Sequence, residues 1–256
     1  MKVVILAGGL GTRFAEETVF RPKPLIEIGG KPILWHIMMH YSTHGLSEFI
    51  ITLGYKGEQI KSFFAQEVSL RGDVTADFRR GQLDRANGAL SRQDDWVVRL
   101  VETGFDTPTG GRIHHVAPML RQETFLLTFG DGVSDVDVGR LLEFHRSHGR
   151  IATVTAVRPP SRFGELVFDG DKVTQFLEKP VDGGNWISGG FFVLEPEVLD
   201  YVGPADDWSH DCIPRLAADD QLMAFKHESF WQCMDTAQEK TYLEALWQAE
   251  APWKTW

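Results

Sequence analysis

The chain of 256 residues has little cysteine, no surplus of positive charge and no long apolar run, and each shortage excludes a class of protein. Two cysteines, Cys212 and Cys233, cannot build a disulfide framework or a zinc site, so a reducing cytoplasm is the expected compartment. No stretch of about 18 apolar residues occurs, so no membrane-spanning helix is expected. The chain begins Met1-Lys2 and enters an apolar pentapeptide too short for the core of a secretion signal, so no leader is expected either. Asp and Glu outnumber Lys and Arg by 36 to 26, a formal net charge of -10. Nucleic acid is therefore not an expected partner, because such binding rests on massed basic residues. An anionic small substrate would have to be held by a few gathered cations. Internal repeats and low-complexity tracts are missing as well.

What remains is the 43% hydrophobic, 24% charged composition of a globular chain, long enough for one large α/β domain. Residues 3–7, 48–54, 124–129 and 151–157 read as strands buried on both faces. Residues 32–44, 57–67, 138–148 and 236–249 read as helices, with Pro32 suited to a first turn. This alternation predicts a mostly parallel sheet covered by helices. Residues 68–112 interrupt the rhythm with Arg79-Arg80-Gly81, Asn87-Gly88 and Thr107-Pro108-Thr109-Gly110-Gly111, and read as an insertion of hairpins and loops. Beyond Pro159-Pro160 shorter strands follow, at 165–168, 173–177 and 190–194, before a C-terminal helix and tail over 236–256.

The chemistry gathers at the start. Val3-Val4-Ile5-Leu6-Ala7 runs into Gly8-Gly9-Leu10-Gly11-Thr12-Arg13. Glycines allow positive φ and close approach of backbone N–H groups to phosphate oxygens, while Thr12 and Arg13 add a hydroxyl and a forked cation. Two common phosphate motifs do not fit: there is no Gly-Lys-Ser/Thr of a P-loop, and Phe14 stands where the dinucleotide fingerprint needs its third glycine. Lys23, between Pro22 and Pro24, reads as held on a stiff, extended segment able to reach a fixed phosphate. Asp131, between Gly130 and Gly132 at the end of a buried strand, suits a magnesium ion or a turn. Asp235, before a helix, taken alone reads as an N-cap. Glu178-Lys179-Pro180 and Ser188-Gly189-Gly190 are weaker signals that any turn could supply. His36, His40 and His44 lie at helical spacing with no accompanying carboxylate, which favours a helix face over a metal site.

Taken together, the residues 6–13, Lys23-Pro24, Phe129-Gly130-Asp131, Glu178-Lys179-Pro180 and 231–235 resemble the sugar-1-phosphate nucleotidylyltransferases. Arg21-Pro22-Lys23-Pro24, Thr109-Gly110-Gly111-Arg112, Arg162-Phe163-Gly164, Ser188-Gly189-Gly190 and the ending Trp253-Lys254-Thr255-Trp256 are similar to its cytidylyl branch, and the resemblance runs the length of the chain. It implies a Rossmann-like mixed sheet with a smaller sugar-binding C-terminal part, and a reaction in which CTP and glucose 1-phosphate give CDP-glucose and pyrophosphate. By the same resemblance, Gly8, Gly9, Gly11, Thr12 and Arg13 hold the nucleotide phosphates, Lys23 stabilises charge at the α-phosphate, and Asp131 and Asp235 bind Mg²⁺. Lys179, oriented by Glu178, meets the sugar phosphate; Thr109 and Arg112 lie on the nucleotide side; Leu6, Ala7, Gly130, Ser188 and Gly189 line the substrate site. The family also implies a trimer or hexamer, with 68–112 as a contact, and a place in supplying sugars for surface polysaccharide. Ser188 stands where the family pattern has asparagine, and Phe129 where it has tyrosine. The rival readings are a UTP- or dTTP-dependent enzyme and a catalytically silent nucleotide-sugar sensor of the same fold.

Overall fold

Apolar runs that alternate with helices can bury both faces only by lying side by side, and they do so here. The computed structural model describes residues 1–69, 74–77, 79–85, 95–159, 165–177 and 185–256. In chain order the strands are β1 (Lys2–Leu6), β2 (Glu27–Ile28), β3 (Lys31–Pro32), β4 (Glu48–Leu53), β5 (Val74–Asp77), β6 (Gln82–Arg85), β7 (Val97–Glu102) and β8 (Phe125–Phe129). They continue with β9 (Gly132–Ser134), β10 (Ala152–Val157), β11 (Glu165–Asp169), β12 (Lys172–Leu177), β13 (Ile187–Leu194), β14 (Leu222–His227) and β15 (Trp231–Cys233). The α-helices are α1 (Ala15–Thr18), α2 (Ile33–Thr43), α3 (Gly57–Ser69), α4 (Thr109–Val116), α5 (Val138–His148), α6 (Ile213–Ala218) and α7 (Ala237–Gln248).

Seven strands form one sheet in the order β14-β10-β13-β8-β1-β4-β7. β1 runs parallel to both β4 and β8, and β4 parallel to β7, so their carboxyl ends share one edge. β13 is antiparallel to β8 and β10, which brings its beginning, Ile187 and Ser188, to that same edge. The expected mostly parallel mixed sheet is therefore present. Alternation along β1 feeds two cores: Val3 and Ile5 pack with α2, α3, α5 and α7, while Val4 and Leu6 pack with α4, Trp208 and α6. Each fully buried Ile, Leu or Phe contributes about 1.5–3 kcal/mol. An exposed ion pair such as Arg121–Asp200 at 3.7 Å contributes at most about 1 kcal/mol, so the two cores hold the sheet.

Two sequence readings are revised. Residues 68–112 are not all inserted hairpins and loops: β5–β6 is a hairpin, but β7 is an edge strand of the main sheet and residues 109–116 are helix α4. The helix tolerates Gly110 and Gly111 because it packs on residues 204–206. A Cβ at Gly110 would lie 2.5 Å from the Asp206 carbonyl oxygen, and one at Gly111 2.3 Å from that of Pro204. Pro32 does not start α2; it is extended, with ψ 145, and closes the small β2–β3 ribbon, so the helix begins at Ile33. The histidine row lies on a helix face as expected: His36 and His40 are buried on α2, and His44 follows its end, exposed.

Candidate active site

Where β1 ends, its backbone is handed across the neighbouring strands. Ala7 N donates to Thr52 O at 3.1 Å, Gly130 N to Leu6 O at 3.0 Å, and Tyr55 N to Gly8 O at 3.1 Å. The glycines that follow have three different reasons. Gly11 has φ 64, and a Cβ there would meet Thr18 Cγ2 at 2.7 Å, so the left-handed turn and the close packing both require glycine. Gly8 is buried, and its missing side chain makes room for the guanidinium of Arg112, 2.3 Å from an ideal Cβ position. Gly9 is exposed with nothing within 4 Å of a Cβ, so the backbone here is open to a ligand.

Arg112 lines the cleft, and its guanidinium is turned to the backbone. It is 3% exposed, and its guanidinium donates to the carbonyls of Leu53 (2.9 Å), Gly8 (3.0 Å), Gly104 (2.8 Å) and Phe105 (3.2 Å) and to Thr103 Oγ1 (2.7 Å). It ties the glycine loop to the ends of β4 and β7. Gly54 makes room from the other side, since a Cβ there would be 2.5 Å from Arg112 Nη1. Thr109, also expected on the nucleotide side, donates from Oγ1 to Asp207 Oδ2 at 2.9 Å and accepts from Trp208 N at 2.8 Å.

Lys23 and Arg13 supply the cations. Lys23 lies in a 3₁₀ turn, Lys23–Leu25, rather than on the extended segment expected; Pro22, with ψ 146, is the extended residue before it. Its ammonium bridges two carboxylates, Asp131 Oδ2 at 2.7 Å and Asp235 Oδ1. Arg13 Nη1 holds the other oxygen of Asp235 at 2.8 Å while its side chain is 80% exposed. Burial would lower the pKa of Lys23, but the Coulomb and hydrogen-bond attraction of Asp131 and Asp235 outweighs it and raises the pKa above the ordinary lysine value, so the group is a cation.

Asp235 can take this part because it is not the N-cap. Thr236 caps α7, accepting from Glu239 N at 3.2 Å, and Glu239 Oε2 accepts from Asp235 N at 2.6 Å. Asp131 and Asp235 are brought together by pairing of β9 with β15 and by Met234 N donating to Asp131 O at 2.8 Å. Asp135 closes the same unit, accepting from His227 Nε2 at 2.9 Å and Ser229 Oγ at 2.5 Å. Cys233 lies beside them as a thiol: burial, reinforced by Glu239, Asp235 and Asp131, pushes its pKa up to about 12.

Together these walls enclose a cleft of about 700 Å³ at the carboxyl edge of the sheet, the usual ligand position in an open α/β fold. Leu6, Ala7, Gly8, Gly9, Gly11, Thr12, Arg13, Lys23, Thr109, Arg112, Gly130, Asp131, Ser188 and Asp235 all line it. Gly189 is buried instead: a Cβ would lie 2.7 Å from Val157 Cγ1, and its carbonyl accepts from Trp231 Nε1 at 2.7 Å. Phe129 packs against Gly190, whose φ is 83 and whose Cβ would meet the ring at 2.8 Å. Glu178 and Lys179 lie outside the described residues. Asp207 and His210, which line the cleft beside Thr109, were not singled out from sequence. The available signal was the capping role of Asp207, which accepts from Ser209 N at 2.9 Å and His210 N at 3.0 Å.

The nucleotidyl transferase family model matches residues 2–251. The chain is 49% identical over 259 residues to the glucose-1-phosphate cytidylyltransferase of Salmonella typhi, covering all of both proteins. It is 41% identical over 260 residues to a probable glucose-1-phosphate cytidylyltransferase of Bacillus subtilis, again over the whole of both. In structure it is similar to HddC from Yersinia pseudotuberculosis, with a TM-score of 0.68 at 22% identity, covering 96% of this chain and 99% of that one.

Proposed function

The chain belongs to the nucleotidyl transferase family and is an enzyme of that class, and from that premise we propose that it transfers CMP from CTP to glucose 1-phosphate, giving CDP-glucose and pyrophosphate. A phosphate oxygen of the sugar phosphate attacks the α-phosphorus of CTP, the new P–O bond forms as the bond to the β-phosphate oxygen breaks, and pyrophosphate leaves with that electron pair. Such a transfer asks for positioning and charge stabilisation more than for covalent catalysis. The observation that carries this reading is the Lys23 ammonium held between Asp131 and Asp235 beside a glycine loop whose Gly9 is open.

In this reading the backbone of residues 8–11 with Thr12 and Arg13 receives the triphosphate, and Lys23 faces the charge that develops at the α-phosphate. Asp131 and Asp235 fit a divalent cation: they converge on one positive group from two strand ends, and magnesium takes one or two carboxylates with phosphates and water. When bound there, Mg²⁺ supplies neutralisation of phosphate charge. Ser188, at the head of β13, faces the sugar, and Glu178 with Lys179 meets its phosphate. Arg112 is assigned to hold the glycine loop rather than to touch the nucleotide.

Residues 1–256 act as one domain in this account, in the cytoplasm where CTP is available, within the supply of sugars for surface polysaccharide. Among the described residues no helix is long and apolar enough to cross a membrane. We also assign self-association, as a trimer or hexamer, to the chain. The support is the β11–β12 hairpin, whose Phe168 and Phe176 are 59% and 62% exposed, an apolar surface suited to a second copy. Light scattering showing a monomer at micromolar concentration would contradict it.

The test of the activity is pyrophosphate release from CTP, UTP, dTTP and GTP with glucose 1-phosphate and Mg²⁺. CTP is expected to give the highest kcat/KM. Equal turnover with UTP would remove the cytidylyl assignment while leaving nucleotidyl transfer; no pyrophosphate from any triphosphate would remove the enzyme reading.

A further inference from the structure

The cleft has a second polar wall that the transfer chemistry does not use. Asp207 Oδ2 accepts from Thr109 Oγ1, and Oδ1 accepts from Ser209 N, His210 N and, at 3.0 Å, the ring Nδ1 of His210. Burial works to raise the pKa of this carboxyl. The donors of His210, Thr109 and Ser209 outweigh it and hold Asp207 below the usual carboxylate range, so it is an ionised acceptor. An acceptor-only partner requires the proton of a neutral imidazole to sit on Nδ1. In the neutral ring Nε2 is then the lone pair. Nε2 has no hydrogen-bond partner among the described residues, and the side chain is 87% exposed where the segment lines the cleft.

This wall is unsuited to phosphate. A carboxylate and a lone pair repel phosphate oxygens, and Arg112 behind them spends its donors on Leu53, Gly8, Gly104, Phe105 and Thr103. Lys23 and Arg13 line the same cleft and supply its cations. With the triphosphate charge held by those cations, this acceptor-bearing part of the lining is left for the uncharged nucleoside. Cytosine carries an amino donor at C4, whereas uracil and thymine carry a carbonyl acceptor at that position.

We propose that His210 is a base-specificity residue whose Nε2 accepts a hydrogen bond from the amino group of cytosine, with Asp207 as the positioning residue that fixes the ring tautomer. The proposal rests on the cytidylyl reading above. It assigns CTP selectivity to a pair of side chains outside the glycine loop, the lysine and the metal carboxylates. A uracil carbonyl brought to the same lone pair would leave two acceptors facing each other, a mismatch worth on the order of tenfold in KM.

The test is kcat and KM for CTP and UTP, with glucose 1-phosphate and Mg²⁺, in the wild type, His210→Ala, His210→Gln and Asp207→Asn. His210→Ala is expected to raise KM for CTP, to lower KM for UTP by relieving the acceptor–acceptor mismatch, so that the CTP-to-UTP ratio falls on the order of tenfold, and to leave kcat for both unchanged. His210→Gln, which returns an acceptor at similar reach, is expected to restore much of the CTP preference. Asp207→Asn offers Nδ1 an amide and so releases the tautomer; it is expected to narrow the CTP-to-UTP ratio. An unchanged ratio in His210→Ala, or an equal rise in both KM values, would overturn the proposal. A wild type that does not prefer CTP would overturn the cytidylyl reading and this assignment together. A wild type that does, with an unchanged ratio in His210→Ala, would overturn this assignment alone.

Discussion

Arg112 and Gly8 illustrate how one side chain can explain several glycines. The guanidinium is buried among carbonyls from β4, the glycine loop and residues 104–105, and two glycines, Gly8 and Gly54, exist in part to let it through. Truncation would remove five hydrogen bonds and leave a cavity where a side chain only 3% exposed now sits. Arg112→Ala is expected to cost roughly 3 kcal/mol or more of unfolding free energy. Gly8→Ala should also destabilise, through contact with the same guanidinium. The double variant is expected to be less damaged than the sum of the two, because removing the guanidinium removes the clash. Urea unfolding of the four proteins checks this: strict additivity would show that Gly8 is glycine for some other reason. At this scale the sequence was legible in residue type and less so in role. Thr109-Gly110-Gly111-Arg112 announced an important arginine, but spacing cannot tell which acceptors a long side chain will meet. For Asp235, the neighbouring Thr236 and Glu239 already carried the capping signature that frees the carboxylate for Lys23.

Among the elements, those with continuous apolar runs were the readable ones. β1, β4, β8, β10 and α5 lie within a residue of their expected bounds, because burial on both faces, or a clear cap such as Asp137 accepting from Arg140 N, leaves a strong pattern. β7 and α4 were hidden for physical reasons. β7 is an edge strand whose residues are exposed or half-buried, so Val97-Val98-Arg99-Leu100-Val101-Glu102 shows no buried run. α4 begins with Thr109-Gly110-Gly111, residues that ordinarily end helices; close packing on Pro204 and Asp206 reverses their meaning. The pairing of β9 with β15 is also invisible from sequence, being three residues on each side joined across about a hundred residues of chain. That pairing sets Asp131 beside Asp235, so the site's charge arrangement depends on the elements least apparent in the sequence.

At the scale of the molecule, the C-terminal tail closes the core that faces α2. Trp253 is fully buried and its Nε1 donates to His36 Nδ1 at 3.3 Å, while His36 Nε2 donates to the carbonyl of Ile28 at 2.8 Å. Both ring nitrogens are thus committed in the neutral tautomer. Burial lowers the His36 pKa to about 4, outweighing the raising effect of the backbone acceptors at Ile28 and Lys31. A histidine whose native pKa lies below its unfolded value binds protons preferentially when unfolded. Its contribution is complete above about pH 6.5 and is lost as pH falls toward 4. Between pH 7 and pH 5 it should cost about 2 kcal/mol of stability. Urea unfolding at both pH values checks this. The wild type is expected to lose more stability than His36→Gln, which has no ring to protonate, and an equal loss in the two proteins would contradict it.

The cleft, the glycine loop and the paired carboxylates all converge on one group, the ammonium of Lys23. The most direct measurement is pyrophosphate release by Lys23→Ala with saturating CTP, glucose 1-phosphate and Mg²⁺. Loss of a charge that acts on the developing phosphate charge should lower kcat on the order of 10²-fold or more, in a protein that still unfolds cooperatively. A Lys23→Ala enzyme that keeps full turnover would contradict the account.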